Sequence, residues 1–153
     1  MVSRIEEAIQ KNLCSSSLTG KFPESLRSAI EYSVFPGGAR IRPTILISVA
    51  KACGDDMPEI TDAAASALEM IHCASLVHDD LPCFDNGDTR RGKPTVHKAY
   101  GENTAVLAGD SLIINAFNCL ASVSKYSHTR CANLIVFLSK YAGFPNGICA
   151  GQG

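Results

Sequence analysis

The sequence of 153 residues shows no excess of charge, no CxxC pair, no low-complexity tract and no apolar run within residues 1–11. With 14 Lys and Arg against 15 Asp and Glu, its formal net charge is −1. No basic field therefore points to nucleic acid or to a membrane surface, and a polyanionic substrate would have to be met by locally placed cations. Residues 1–11 are charged and polar, which does not fit a secretory signal, so a cytoplasmic protein is expected. The seven cysteines lie far apart and are odd in number, so zinc pairs are excluded. They are expected to be reduced and mostly in the core.

Helical periodicity dominates what is present, and no hairpin signal appears. Helices are expected over residues 3–13, 23–35, 41–53, 61–78, 104–122 and 128–142, with a last one opening at Ile148. Pro23 opens the second, and Pro36-Gly37-Gly38 closes it. Residues 61–78 are apolar nearly all round, the pattern of a helix buried on most sides. Residues 104–123 are apolar enough to resemble a membrane span. Asp110, Asn115 and Asn118 are costly in hydrocarbon, so a buried core helix is expected and no span.

Two clusters carry chemistry. The first is Asp79-Asp80-Leu81-Pro82-Cys83-Phe84-Asp85, followed by Asn86, Asp88, Arg90 and Arg91. Carboxylates this close repel one another unless a cation lies among them. Mg²⁺ takes one or two carboxylates together with substrate phosphate oxygens. Arginines just beyond suit those phosphates, because the guanidinium fork binds oxygen pairs. Taken alone, a mixed charge run can equally be a solvated loop. The second cluster is Phe35-Pro36-Gly37-Gly38-Ala39-Arg40-Ile41-Arg42-Pro43. Its glycines leave amides open at a helix start, and Arg40 and Arg42 add charge for an anion. Alone it reads equally well as an ordinary turn.

Together the clusters resemble the trans-prenyl diphosphate synthases, the polyprenyl synthetase family, whose pattern is GGKRxRP, HxxSLxHDDxPxxD, RRGxPxxH and GxxxGQ. The chain carries Gly37 to Pro43, His72 to Asp85, Arg90 to His97 and Gly147 to Gln152 in those places. It is most similar to bacterial geranylgeranyl diphosphate synthases of carotenoid and photosynthetic-pigment pathways. Residues 1–153 resemble the N-terminal portion of a single synthase domain. The resemblance implies an all-α fold, a helical bundle of the isoprenoid synthase type around a central cavity, here incomplete.

It also implies a Mg²⁺-dependent prenyltransferase acting on isopentenyl diphosphate and an allylic diphosphate (dimethylallyl, geranyl or farnesyl), homodimeric at full length. Asp79 and Asp85 would be the Mg²⁺ ligands, with Asp80 supporting them from behind. Arg90 would grip the allylic diphosphate, and Arg42, His72 and Arg91 would hold isopentenyl diphosphate. In a helix, His72, Ser75 and Asp79 share one face within about 60° of arc. Two features depart from the family. Ala39 stands where most members have Lys, and no second aspartate-rich motif follows, since Glu102 and Asp110 are the only acidic residues after Asp88. The expected product is geranylgeranyl diphosphate. Ala74 and Ser75, just before Asp79, are too small to stop a growing tail, and the aspartate motif is two residues longer than the short DDxxD form.

The alternatives are a farnesyl diphosphate synthase, an inactive fragment or partner subunit, and a terpene cyclase. The intact first motif weighs against an inactive partner. Arg42 and the Arg90-Arg91 pair weigh against a cyclase. The chain of 153 residues alone is expected to be inactive, with the cavity face of the 61–78 helix left as an apolar surface.

Overall fold

The computed structural model describes residues 2–14 and 23–152. The expectations for the Cys14 thiol and for the chain end at Gly153 lie outside the described residues.

The chain is all-α apart from one small hairpin. In order come α1 (Val2–Cys14), α2 (Glu24–Val34), α3 (Ile41–Ala52), α4 (Pro58–Asp79), β1 (Thr89–Arg90), β2 (Lys93–Pro94), α5 (Val96–Tyr100), α6 (Glu102–Ser122), α7 (His128–Ala142) and α8 (Ile148–Gln152). The expected helices are present. α4 starts three residues earlier than expected, because Pro58 suits a first helical position where no amide donor is required. Ser127 caps α7 by accepting from the Arg130 amide at 3.3 Å.

Two elements were not expected. The hairpin has strands of two residues, too short for any alternation of apolar and polar positions to show. α5 has five residues, fewer than two helical turns, and leaves no period to read.

The chain forms two compact units. The first holds the described residues of 1–16, 40–69 and 115–153. Ile5, Ile9, Ile47, Leu120 and Cys131 are buried in it. Arg40 is the charged centre of this unit and corrects the expectation that it serves an anion. Its side chain is 1% exposed and donates to Glu69 at 2.7 Å and to Glu6 at 2.7 and 3.3 Å. Burial pulls its pKa down, but the hydrogen bonds and charges of Glu6 and Glu69 outweigh that and hold it above the usual arginine value. Its left-handed backbone, φ 49°, precedes α3 without any side-chain cap.

The second unit holds the described residues of 17–39 and 70–114. Ala29, Val77, Leu81, Val96, Ala105 and Ala108 form its core, flanked by Leu26, Ile30, Tyr32 and Tyr100.

α4 is buried along most of its length, as expected of an apolar helix. The apolar surface expected on it lies elsewhere. α3 exposes Ile41, Ile45 and Val49 at a spacing of four, and α7 exposes Val136, Phe137 and Tyr141. α6 is not buried all round: Ala105, Ala108, Leu112 and Ala116 form a buried stripe, while Leu107 and Ile114 are exposed. By length and composition, both α4 and α6 are apolar enough to cross a membrane. The six described cysteines are free, and three of them, Cys53, Cys83 and Cys149, are exposed. That corrects the expected core placement: these three sit at a helix end, in a turn and on the short α8, where no neighbour covers them.

Candidate active site

The aspartate cluster begins where α4 ends. The turn folds back on itself: the Asp85 amide donates to the Asp79 carbonyl at 2.9 Å, and the Asn86 amide to that of Leu81 at 3.0 Å. Asn86 is left-handed, φ 49°, a conformation asparagine tolerates. Asp85 is thereby brought back to the end of the helix that carries Asp79. Neither carboxylate has a hydrogen-bond or ion-pair partner among the described residues. Asp80 is different. It is 4% exposed and accepts both arms of the Arg90 fork, from Nε at 2.6 Å and Nη2 at 2.8 Å. Gly87 makes room for it, since a Cβ there would lie 2.7 Å from Asp80 Oδ1. Arg90 is held above its usual pKa first by the hydrogen bonds to Asp80, against burial, and then by the charges of Asp80, Asp79 and Asp85.

The hairpin presents the arginines. Thr89 faces Pro94 and Arg90 faces Lys93, joined by Arg91 (φ 53°) and Gly92 (φ 76°). Two positive φ values in a row are what a tight hairpin turn needs to match strand twist. Arg91 is exposed and has no hydrogen-bond or ion-pair partner among the described residues. The loop is tied down behind it. The buried Thr95 hydroxyl donates to the Gly87 carbonyl at 2.8 Å and lies 3.1 Å from His97 Nδ1. Its one proton is thus used, so His97 donates from Nδ1. His97, the last residue of the RRGxPxxH pattern, is therefore a buried brace.

A small open cleft lies within this unit. Cys73 and Leu76 of α4 line it together with Asp80, Arg90, Arg91 and Lys93. It sets the guanidiniums of Arg90 and Arg91 beside an apolar wall, a pairing suited to a phosphate that carries an apolar group, while the ammonium of Lys93 is taken up by main-chain carbonyls.

Of the residues expected at the site, Asp79, Asp85, Arg90, Arg91 and His72 all belong to this second unit, and Arg42 belongs to the first, exposed on α3. His72, Ser75, Leu76 and Asp79 are half-buried and recur at helical spacing, as a face bordering a cavity would; His78, also half-buried, lies off that face. Ala74 is off that face and 1% exposed, its surroundings already filled by the chain's own packing, so of the two small residues expected to leave room for the tail only Ser75 borders the open face. Ser75 stays on the open face, its hydroxyl donating to the His72 carbonyl at 2.8 Å.

The polyprenyl synthetase family profile matches residues 23–153. The chain belongs to the polyprenyl synthetase family. It is 61% identical over 149 residues to a geranylgeranyl diphosphate synthase of Rhodobacter capsulatus, covering 97% of this chain and 51% of the relative. It is 60% identical over 131 residues to that of Cereibacter sphaeroides, covering 86% and 46%. A crystal structure of a geranyltransferase from Legionella pneumophila superimposes with a TM-score of 0.87 at 37% identity, covering 99% of this chain and 52% of that one. The chain spans about half the length of the curated relatives it matches.

Two parts of this family site were not foreseen. The Asp80–Arg90 pair joins residues ten apart through a loop, where no period links them. Lys93 was hidden because its partners are main-chain carbonyls 61 and 58 residues away, which no side-chain pattern marks.

Proposed function

We propose that the full-length protein carrying this sequence is a Mg²⁺-dependent prenyltransferase that condenses an allylic diphosphate with isopentenyl diphosphate, its main product geranylgeranyl diphosphate. One observation carries the reading: two unpaired carboxylates, Asp79 and Asp85, and an unpaired guanidinium, Arg91, belong to the turn and hairpin that follow α4.

The donor set fits magnesium, a hard cation that takes one or two carboxylates and completes its shell with phosphate oxygens. Bound at Asp79 and Asp85 with a diphosphate, Mg²⁺ would supply Lewis-acid neutralisation of the leaving group. The chain's own groups do the rest. Asp80 orients Arg90 through the fork and leaves its remaining N–H groups for the allylic diphosphate. Arg91 takes the diphosphate of isopentenyl diphosphate, with His72. Developing charge on the departing diphosphate is stabilised by these fixed cations. The C1–O bond of the allylic substrate breaks, and its electron pair leaves with diphosphate. The isopentenyl double bond then attacks the allylic cation, and loss of a proton gives the longer trans product.

Support for the twenty-carbon product comes from the relatives named geranylgeranyl diphosphate synthases and from the small Ser75 on the open face of α4. α4 and α6 are read as core helices, the protein as cytoplasmic, homodimeric at full length and serving carotenoid synthesis. The chain of 153 residues alone is read as inactive.

The test is incubation of the full-length protein with Mg²⁺, labelled isopentenyl diphosphate and geranyl or farnesyl diphosphate, followed by chromatography of the dephosphorylated products. Geranylgeraniol is expected. A farnesol end point would replace the product assignment, and no elongation or a cyclic hydrocarbon would refute the reading.

A further inference from the structure

Lys93 sits on β2 opposite Arg90, yet its ammonium turns to main-chain carbonyls and to no carboxylate. It donates to the Tyr32 carbonyl at 2.5 Å and to the Phe35 carbonyl at 2.9 Å. Both belong to the C-terminal end of α2, where carbonyls lack intrahelical partners and the helix dipole is negative. The same ammonium lies 3.7 Å from the centre of the Tyr32 ring. That ring is itself pinned: its hydroxyl donates to the Pro94 carbonyl at 2.8 Å, and its edge packs on Tyr100 with centroids 5.3 Å apart. Burial, followed by the nearby Arg91 charge, lowers the Lys93 pKa. An apolar side chain here would leave both carbonyls without this donor, that of the cleft-lining Tyr32 among them.

The tie continues to Arg91. Three residues beyond Phe35 comes Gly38, and a Cβ on it would lie 3.2 Å from Arg91 Nε and Nη2. The guanidinium thus lies flat on the glycine. Lys93 holds Phe35, Phe35 leads to Gly38, Gly38 supports Arg91, and Arg91 is two residues from Lys93. The circuit closes on itself, and every link is inside the second unit.

We infer that Lys93 is a positioning residue: by clamping the end of α2 it seats the Gly37-Gly38 turn under Arg91 and fixes that guanidinium for the diphosphate of isopentenyl diphosphate. This rests on the function proposed above, and it names the device that orients one substrate there. Lys93 works through Arg91 and does not touch substrate.

The test compares Lys93→Met and Lys93→Arg in the full-length protein. Lys93→Met is expected to raise the KM for isopentenyl diphosphate roughly tenfold, the scale of one lost charge-assisted hydrogen bond. kcat and the allylic KM should stay within about twofold, and Lys93→Arg should recover most of the loss, since a guanidinium can also serve two carbonyls. Equal damage to both KM values and kcat, or no change, would overturn the inference. If Lys93→Met does not fold, Lys93→Gln is read in the same way. A second readout needs no turnover: the ¹⁵Nε–H resonance of Arg91 in the unliganded protein should move in Lys93→Met and return in Lys93→Arg. An unmoved Arg91 resonance overturns the clamp even if the enzyme is active. A wild type without turnover overturns the proposed function, and the resonance then decides the clamp.

Discussion

Removing Glu69 tests whether Arg40 belongs to the scaffold. Its side chain is 1% exposed and that of Glu69 3%, so neither charge has water to fall back on. Truncating one partner of a buried pair costs about 3–5 kcal/mol, because the other charge is left behind. Glu6 still holds Arg40 at 2.7 Å from a position 35% exposed, so Glu69→Ala should fall near the lower end, about 3 kcal/mol. In a full-length protein about twice as long as this chain, as its relatives are, that lowers Tm by roughly 5 °C. Glu6→Ala, on the wetter side of the network, should cost about 1 kcal/mol. Replacing both buried partners, Arg40→Met with Glu69→Leu, should cost less than Glu69→Ala alone, because no orphan charge remains. Differential scanning calorimetry of the full-length protein reads all three. A Glu69→Ala loss no larger than that of Glu6→Ala would show that Arg40 finds solvent or another anion, and the structural assignment would fail.

Asp79→Asn should lower kcat by several orders of magnitude while leaving Tm nearly unchanged, because that carboxylate has no partner to lose; near-normal turnover would remove it from the metal site. Ser75→Phe should shift the main product from twenty to fifteen carbons, while Ala74→Phe, at a filled position, should cost about 1–3 kcal/mol of stability; an unchanged product from Ser75→Phe would place the floor elsewhere. In a thiol-titration time course near pH 8, Cys53, Cys83 and Cys149 should react first. Cys119, its thiol pushed up to about 11 by burial against a weaker opposing hydrogen bond, should react only on unfolding. Asp55 is held below the usual carboxylate value first by the Thr61 hydroxyl and then by Arg4. A depressed folded pKa gives stability that is present above the unfolded value and lost as pH falls through the folded one. Asp55→Asn should therefore flatten the acid limb of the stability profile below about pH 4, read from Tm against pH.

The long helices were legible because each keeps one period over several turns, and the apolar run of α4 announced its burial. The aspartate turn and the arginine doublet were legible as chemistry, since unlike charges crowded beside a buried helix have few other uses. The assignment of individual charges was not. Arg40 and Arg42 are two residues apart in one motif, yet one is buried between glutamates just before α3 and the other is exposed on it, a division that their identical side chains do not announce. Asp79 and Asp80 divide in the same way, because Gly87 leaves room beside Asp80 alone. Nothing in the sequence marks Lys93, since its partners are carbonyls that every sequence supplies.

The boundary between β1 and its turn sorts two identical side chains. Arg90 is the last residue of the strand and reaches back to Asp80, whereas Arg91, one step later, is the first turn residue, left-handed at φ 53°, and lies on Gly38. No chemical difference between them decides the division; the change of backbone direction does. Recognition here is written in counting: inserting or deleting one residue between Gly87 and Arg90 would shift both arginines against that boundary while leaving the composition of the site almost untouched. A point substitution removes one arginine, whereas a slip of one place changes what both can reach. The spacing of this segment therefore constrains the site as tightly as the residues that fill it.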